Sequence, residues 1–198
     1  MIGICTKIRR PIRRVILPDD IMEIGAFSFL GLALQQINMP ASLKKLSDSS
    51  FEDTWIESIV IPEGVAEIPV NCFNWCRRLK KVVLPSTLKT IADLAFYAAG
   101  VDEMTLPDGL DSIGTASLYA TSFSEIIVPN SVRKIGNAAF HGNVNMKRIV
   151  FPAGMTSIPS RVCSGCPHLE EAQIPKTVKE IGLYAFSGCH KLKNISLP

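Results

Sequence analysis

Long apolar runs are missing from this sequence. No stretch of 18 consecutive apolar residues occurs, so no membrane-spanning helix is expected. A secretory leader needs an apolar region behind its basic residues. Here Val15-Ile16-Leu17 follows Lys7, Arg9, Arg10, Arg13 and Arg14 but stops at Pro18-Asp19-Asp20, so neither a signal peptide nor an anchor is expected. Charge of one sign is also scarce. The net charge is +3, those five basic residues supply +5, and the rest of the chain carries −2. That excludes a surface built to track phosphates, and no nucleic-acid partner is expected. The basic stretch reads as a solvated leading edge; the alternatives are a localisation signal or a patch for an anionic partner.

Glycine and proline, 13 of each in 198 residues, are too few for collagen or a low-complexity linker. A hydrophobic content of 47% excludes disorder. No dinucleotide or phosphate loop and no nucleophile elbow is present. The Gly136–Gly142 stretch has the wrong spacing and no following lysine. No catalytic residue and no cofactor are therefore expected; the chain reads as a non-enzyme.

What is present is a grid. Nine of the 13 prolines, at 18, 40, 62, 85, 107, 129, 152, 175 and 198, are spaced 22 or 23 residues apart. Before each stands the same pattern of three apolar residues, as in Leu79-Lys80-Lys81-Val82-Val83-Leu84-Pro85. Three residues after the proline comes Ile, Leu, Val or Met. Six residues after comes Ile or Leu. Eleven residues after comes Phe29, Phe51, Phe73, Phe96, Leu118, Phe140, Cys163 and Phe186. Alternation before the proline is strand spacing, and proline, lacking a donor, ends each strand at the same corner. Ala95, Phe96 and Ala99 follow Ala92 at offsets of three, four and seven, which predicts a short helical turn. Asp48, Asp93, Thr115, Asn137 and Ser160 stand where they could cap that turn. Gly25, Gly114, Gly136 and Gly182, one residue earlier, predict a sharp corner. One such unit cannot bury its apolar side, but stacked units can. Nine parallel strands would run for roughly 40 Å.

This unit resembles a leucine-rich repeat. More closely it is similar to the BspA-like subclass, whose L-x-x-I-x-L-P, V-x-x-I-G-x-x-A-F-x-x-C pattern matches Leu169 to Pro175, then Val178, Ile181, Gly182, Ala185, Phe186 and Cys189. The asparagine of ordinary leucine-rich repeats, two residues past the proline slot, is replaced by Asp20, Ser42, Gly64, Thr87, Gly109, Ser131, Gly154 and Thr177. The resemblance covers residues 12–198 and leaves 1–11 as an N-terminal extension. It implies an α/β solenoid: a right-handed leucine-rich repeat superhelix of 22–23-residue units, eight full repeats and a final strand. A parallel sheet would line its concave face, with short helical turns on the convex side. It also implies a non-enzymatic protein-binding or adhesion scaffold, on the cell surface or secreted, with a host or extracellular protein as partner. The alternative is a structural or self-associating segment of a longer repeat protein, joined end to end.

Six cysteines could suggest a disulfide framework. Yet Cys76, Cys166 and Cys189 occupy the family's own Cys slot, while Cys163 and Cys72 replace core positions. They read as small buried hydrophobes, with Cys166 and Cys189 the pair best placed for a disulfide. Cys163-Ser-Gly-Cys166 with His168, Cys189 and His190 could supply zinc ligands on paper, but finger-like spacing is missing and no metal is expected. His141, His168 and His190 fall in the turn after the core Phe and read as solvated. Trp55 and Trp75, in adjacent turns, read as corner packing. Asn194-Ile195-Ser196 is a glycosylation sequon on the last strand.

The candidate partner surface is the open strand face. Its middle variable slot holds Val60, Val83, Thr105, Ile127 and Val150 at the centre, an apolar stripe facing water; β propensity alone is the competing reason for these residues. The neighbouring slot places Lys81, Glu103, Glu125, Arg148 and Glu171 in a row that can pair across strands. Glu103 beside Glu125 breaks the alternation and favours a cationic partner at mid-sheet.

Overall fold

The computed structural model describes residues 12–195. The N-terminal extension 1–11, with Cys5, Lys7, Arg9 and Arg10, lies outside the described residues, as do Ser196 of the sequon and Pro198. The chain is a parallel β-solenoid whose strands stand in two narrow rows, each divided into separate short sheets. The first is built from the strands before the prolines: Arg14–Val15, Gln36–Ile37, Ser58–Val60, Lys81–Val83, Glu125–Ile127, Arg148–Val150, Glu171–Gln173 and Asn194–Ile195. Where they pair they do so in register at 22 or 23 residues, as in Arg14↔Gln36 and Ser58↔Lys81.

A second parallel sheet follows the proline corner. It consists of two-residue strands such as Glu67–Ile68, Thr90–Ile91, Ser112–Ile113 and Lys134–Ile135, which pair consecutively. The sequence reading had no such sheet. Its signal is the isoleucine or leucine six residues after each proline, preceded by a polar residue, one buried and one exposed in most units. Two residues are too short a run for alternation to be counted.

The expected helical turns do not form; no helix occurs among the described residues. The residues nine after each proline (Phe27, Ser49, Asn71, Leu94, Ala116, Ala138, Arg161, Tyr184) all have φ between 49° and 58°. Those thirteen after it (Gly31, Asp53, Trp75, Ala98, Ala120, Gly142, Gly165, Gly188) also have positive φ. A right-handed helix excludes that conformation. Bonds from Thr54 N–H to Phe51 O and from Tyr97 N–H to Leu94 O close successive β-turns instead. Alternate amides point along the solenoid: Phe51, Phe73 and Phe96 donate to Cys72 O, Ala95 O and Ser117 O of the following unit. The three-and-four spacing thus came from turns stacked between units.

The caps and glycines are reassigned for the same reason. Asp93 and Asn137 accept from Thr115 N–H and Ser160 N–H in the next unit, so these side chains tie units together. A Cβ on Gly136 would press on the Thr115 backbone nitrogen and on Gly114. Close stacking, with no left-handed corner, is what requires glycine there.

The core runs continuously between the sheets and the turns. Phe29, Phe51, Phe73 and Phe96 stack with ring centroids 5.2, 5.4 and 5.2 Å apart, and the last three are fully buried. Such offset stacks add roughly 0.5–1.5 kcal/mol per pair beyond burial.

Candidate binding surface

The open face of the first sheet carries the residues that the repeat register singles out. Val60 is 60% exposed, Val83 42% and Ile127 58%. Their strand neighbours Ile59, Val82 and Ile126 are buried, as pleating requires. Thr105 is exposed and Val150 half-buried. The stripe therefore exists as a water-facing apolar row, weaker at Val150, where Arg148 and Gln173 flank the strand.

The charged row beside it is largely self-satisfied. Lys81 Nζ lies 2.9 Å from Glu103. Arg148 pairs with Glu125 on one side and Glu171, at 3.2 Å, on the other. Hydrogen bonding and the charge of Glu103 raise the Lys81 pKa, and Glu125 does the same for Arg148. Glu103 and Glu125 are thus held by opposite neighbours. The backbone separates where they would meet. Residues 103–105 make a single bridge, Lys81↔Glu103. Among the described residues no backbone hydrogen bond joins 102–106 to 124–128. Like charges directly opposite one another disfavour pairing, but the row is also broken between Gln36–Ile37 and Ser58–Val60, where no like charges face each other. A cleft lined by Lys81, Val83, Leu84, Glu103, Met104 and Thr105 lies on the Lys81 side of residues 103–105.

The thiols are structural. Cys72, Cys76, Cys163 and Cys166 are buried and Cys189 is half-buried, all unbonded to one another. Each Cys-slot thiol donates to a carbonyl one unit back: Cys76 to Phe51 O, Cys166 to Phe140 O, Cys189 to Cys163 O. The same slot elsewhere holds Thr54, Thr121 and Asn143, which donate to Phe51 O, Leu118 O and both Leu118 O and Phe140 O. In six of the eight units it holds a side-chain donor; Leu32 and Ala99 fill it in the other two. Burial pushes the thiol pKa to about 11 at Cys76 and about 12 at Cys166. No disulfide joins Cys166 to Cys189. No cluster of three or more His, Cys, Asp or Glu residues that could hold a metal occurs among the described residues. His168 Nδ1 instead lies 2.7 Å from Val144 O.

A comparable ladder replaces the missing asparagines. Ser42, Thr87, Ser131 and Thr177 donate to the carbonyls of Ile21, Val65, Leu110 and Met155 in the preceding units. Gly64, Gly109 and Gly154 alternate with them.

On the turn side, two expectations change. Trp55 and Trp75 are about 40% exposed and carry the guanidinium groups of Arg78 and Arg77 at 4.1 and 4.4 Å, so they are surface residues and not corner filling. His141 is half-buried in a second aromatic ladder. Trp75, Tyr97, Tyr119 and His141 follow at 6.3, 4.5 and 4.6 Å. Burial first, and the charge of Arg161 second, lower the His141 pKa from its ordinary 6.5.

No helix among the described residues is long and apolar enough to cross a membrane. No curated protein matches the chain. Three solved structures share its fold. The leucine rich repeat protein of T. pallidum is 24% identical, with a TM-score of 0.68 over 92% of this chain and 78% of that one. A leucine-rich repeat protein from Bacteroides ovatus is 26% identical, with a TM-score of 0.60 over 92% of this chain and 60% of that one. The pneumococcal vaccine antigen PcpA is 18% identical, with a TM-score of 0.61 over 91% of this chain and 61% of that one. The chain thus spans about three fifths of the latter two. The model of the BspA type leucine rich repeat region, in six copies, matches residues 8–121 and 111–198. With the 22–23-residue register, the proline corners and the stacked Phe and Cys slots already described, that match places this chain in the BspA-type leucine-rich repeat family.

Proposed function

We propose that this protein is a non-enzymatic protein-binding scaffold of the adhesion type, with the open face of the first sheet as its interaction surface. One observation carries the reading: Val60, Val83 and Ile127 stand in water on a sheet whose charged row is already paired. Exposed apolar stripes rimmed by polar residues mark protein contacts. Lys81, Glu103, Thr105, Glu125, Arg148 and Val150 complete the surface. The partner is an extracellular or host protein, and the site of action the cell surface or its exterior, in keeping with the family. Beads coated with the purified protein should adhere to host cells. Val83→Asp with Ile127→Asp, and separately Glu103→Lys with Glu125→Lys, should abolish adherence while thermal melts stay within a few degrees. Unchanged adherence of both variants overturns the sheet-face reading.

A second reading has its own observation. Ile181 is 44% exposed, whereas Ile91 in the same slot is fully buried. Leu183, Tyr184, Met22 and Phe27 are also exposed in the last and first described units. End-to-end stacking of copies would cover them. Light scattering should then show mass rising with concentration, and Leu183→Glu should return a monomer; a monomer at every concentration removes this reading.

A further inference from the structure

All five Trp and Tyr residues of the chain lie in the turns, on the side away from the open sheet. The strip around the Tyr97–Tyr119–His141 ladder has a second property. Residues 94–101, 112–124 and 135–146 contain no Asp, Glu, Lys or Arg, in a chain that is 20% charged. Three consecutive units therefore present an uncharged turn side, with Ala98, Ala120 and Gly142 lying low beside the rings. Loss of charge with aromatic enrichment is the composition that distinguishes the centre of a protein interface from ordinary surface.

An arginine stands at each end of the strip. Arg77 lies at one end, its guanidinium 4.4 Å from the Trp75 ring centroid. Arg161 lies at the other, 5.6 Å from the Tyr184 ring centroid and near enough to His141 to depress its pKa. Both are exposed, and among the described residues neither is paired with a carboxylate. A guanidinium resting on a ring keeps its in-plane N–H edge free for bidentate contact with a carboxylate. The ring also restricts it in advance, lowering the entropy lost on binding. Tyr119, stacked between Tyr97 and His141, offers its edge and no free face, which disfavours a sugar ring against it.

We propose that this turn-side strip is a second protein-binding surface, independent of the open sheet. Its occupant is an extended peptide segment with an apolar, uncharged centre and a carboxylate at each end. Arg77 and Arg161 are four units apart, about 20 Å along the solenoid at ~4.8 Å per strand. An extended chain covers that distance in about six residues. The segment therefore carries Asp or Glu about six positions apart, one for each arginine, with apolar side chains between them against Tyr97 and Tyr119.

The test is selection from a random twelve-residue peptide library displayed on phage, against the intact protein. Enriched peptides should carry two acidic residues five to seven positions apart around an apolar centre. A synthetic peptide of the enriched sequence, followed by fluorescence anisotropy, should lose at least tenfold in affinity on Arg77→Glu with Arg161→Glu. It should also weaken with salt and be unaffected by Val83→Asp with Ile127→Asp. Because both arginines are exposed, the double variant should melt like the parent. Enriched peptides without paired acidic residues, or equal binding by the arginine variant, overturn the proposal. Loss of binding on Val83→Asp with Ile127→Asp would move the peptide to the open sheet and overturn it too.

Discussion

Asn143 shows how much one slot can hold. It is fully buried, donates to Leu118 O and Phe140 O at 2.8 and 2.9 Å, and accepts from Thr121. Truncation removes three buried hydrogen bonds, each worth a net ~0.5–1.5 kcal/mol, although Leu118 O keeps Thr121 and Phe140 O keeps Cys166. Asn143→Ala should therefore lower stability by about 2–4 kcal/mol in urea denaturation. Ser117 is the opposite case: its buried hydroxyl has no partner, and the same slot holds Ala95 and Ala139 in the neighbouring units. Ser117→Ala should be neutral or stabilising by up to about 1 kcal/mol in the same measurement. At Cys72, Cys76, Cys163 and Cys166, burial suppresses the thiolate. A thiol reagent should label these four only after denaturant is added; labelling of the native protein at any of them, read by peptide mapping, contradicts the packing described.

At the scale of the element, stacking distance decides which glycines matter. Gly136 has its neighbour's backbone within touching distance, whereas nothing lies within 4 Å of a Cβ on Gly154. Gly136→Ala should cost roughly 2–4 kcal/mol through forced backbone separation. Gly154→Ala should gain a few tenths by narrowing the unfolded ensemble. Thermal melts of the two variants, run together, check the contrast. The ladder break at residues 103–105 gives a further expectation. Amides of 104–106, 125 and 127 should exchange with deuterium faster than those of Val82 or Ile149. Glu103→Gln should slow them by relieving the Glu103–Glu125 repulsion. The strand at each proline corner, the buried slots and the lateral charge pairs were legible in the sequence, because each repeats at fixed offset. The second sheet was not, because its strands are two residues long. The turns were misread because offsets of three and four suit a helix and a pair of stacked turns equally; only the positive φ at two positions per unit separates them.

For the molecule as a whole, acid should destabilise in two stages of the same sign. His141 has a lowered folded pKa, so the unfolded state binds its proton first. Its contribution is present above 6.5 and is lost as pH falls from there toward the folded value. The groups around it are Tyr119, stacked on its ring, and Arg161. Glu23, held by Lys45, and Glu63, held by the Ser86 amide, are also lowered. Their contribution is present above the ordinary 4.5 and is lost as pH falls through their folded values. Melting temperature should therefore be flat from about pH 7 up to the ordinary thiol value of 9.0, above which the buried cysteines ionise more readily in the unfolded chain, and fall in two steps below pH 7. His141→Gln should remove the first step alone.

The repeat, its length and its core slots follow from the order of residues alone, because stacking forces every unit to obey one register. That order also places the apolar stripe of Val60, Val83 and Ile127, since alternation on a strand needs no partner to be read. The path of the turn backbone and the places where the ladder opens emerge only in the wound chain. So does the surface ladder formed by aromatic residues 22 or 23 positions apart. Those outcomes depend on contacts between units. A contact between units becomes visible only when the chain is wound and each turn meets the next.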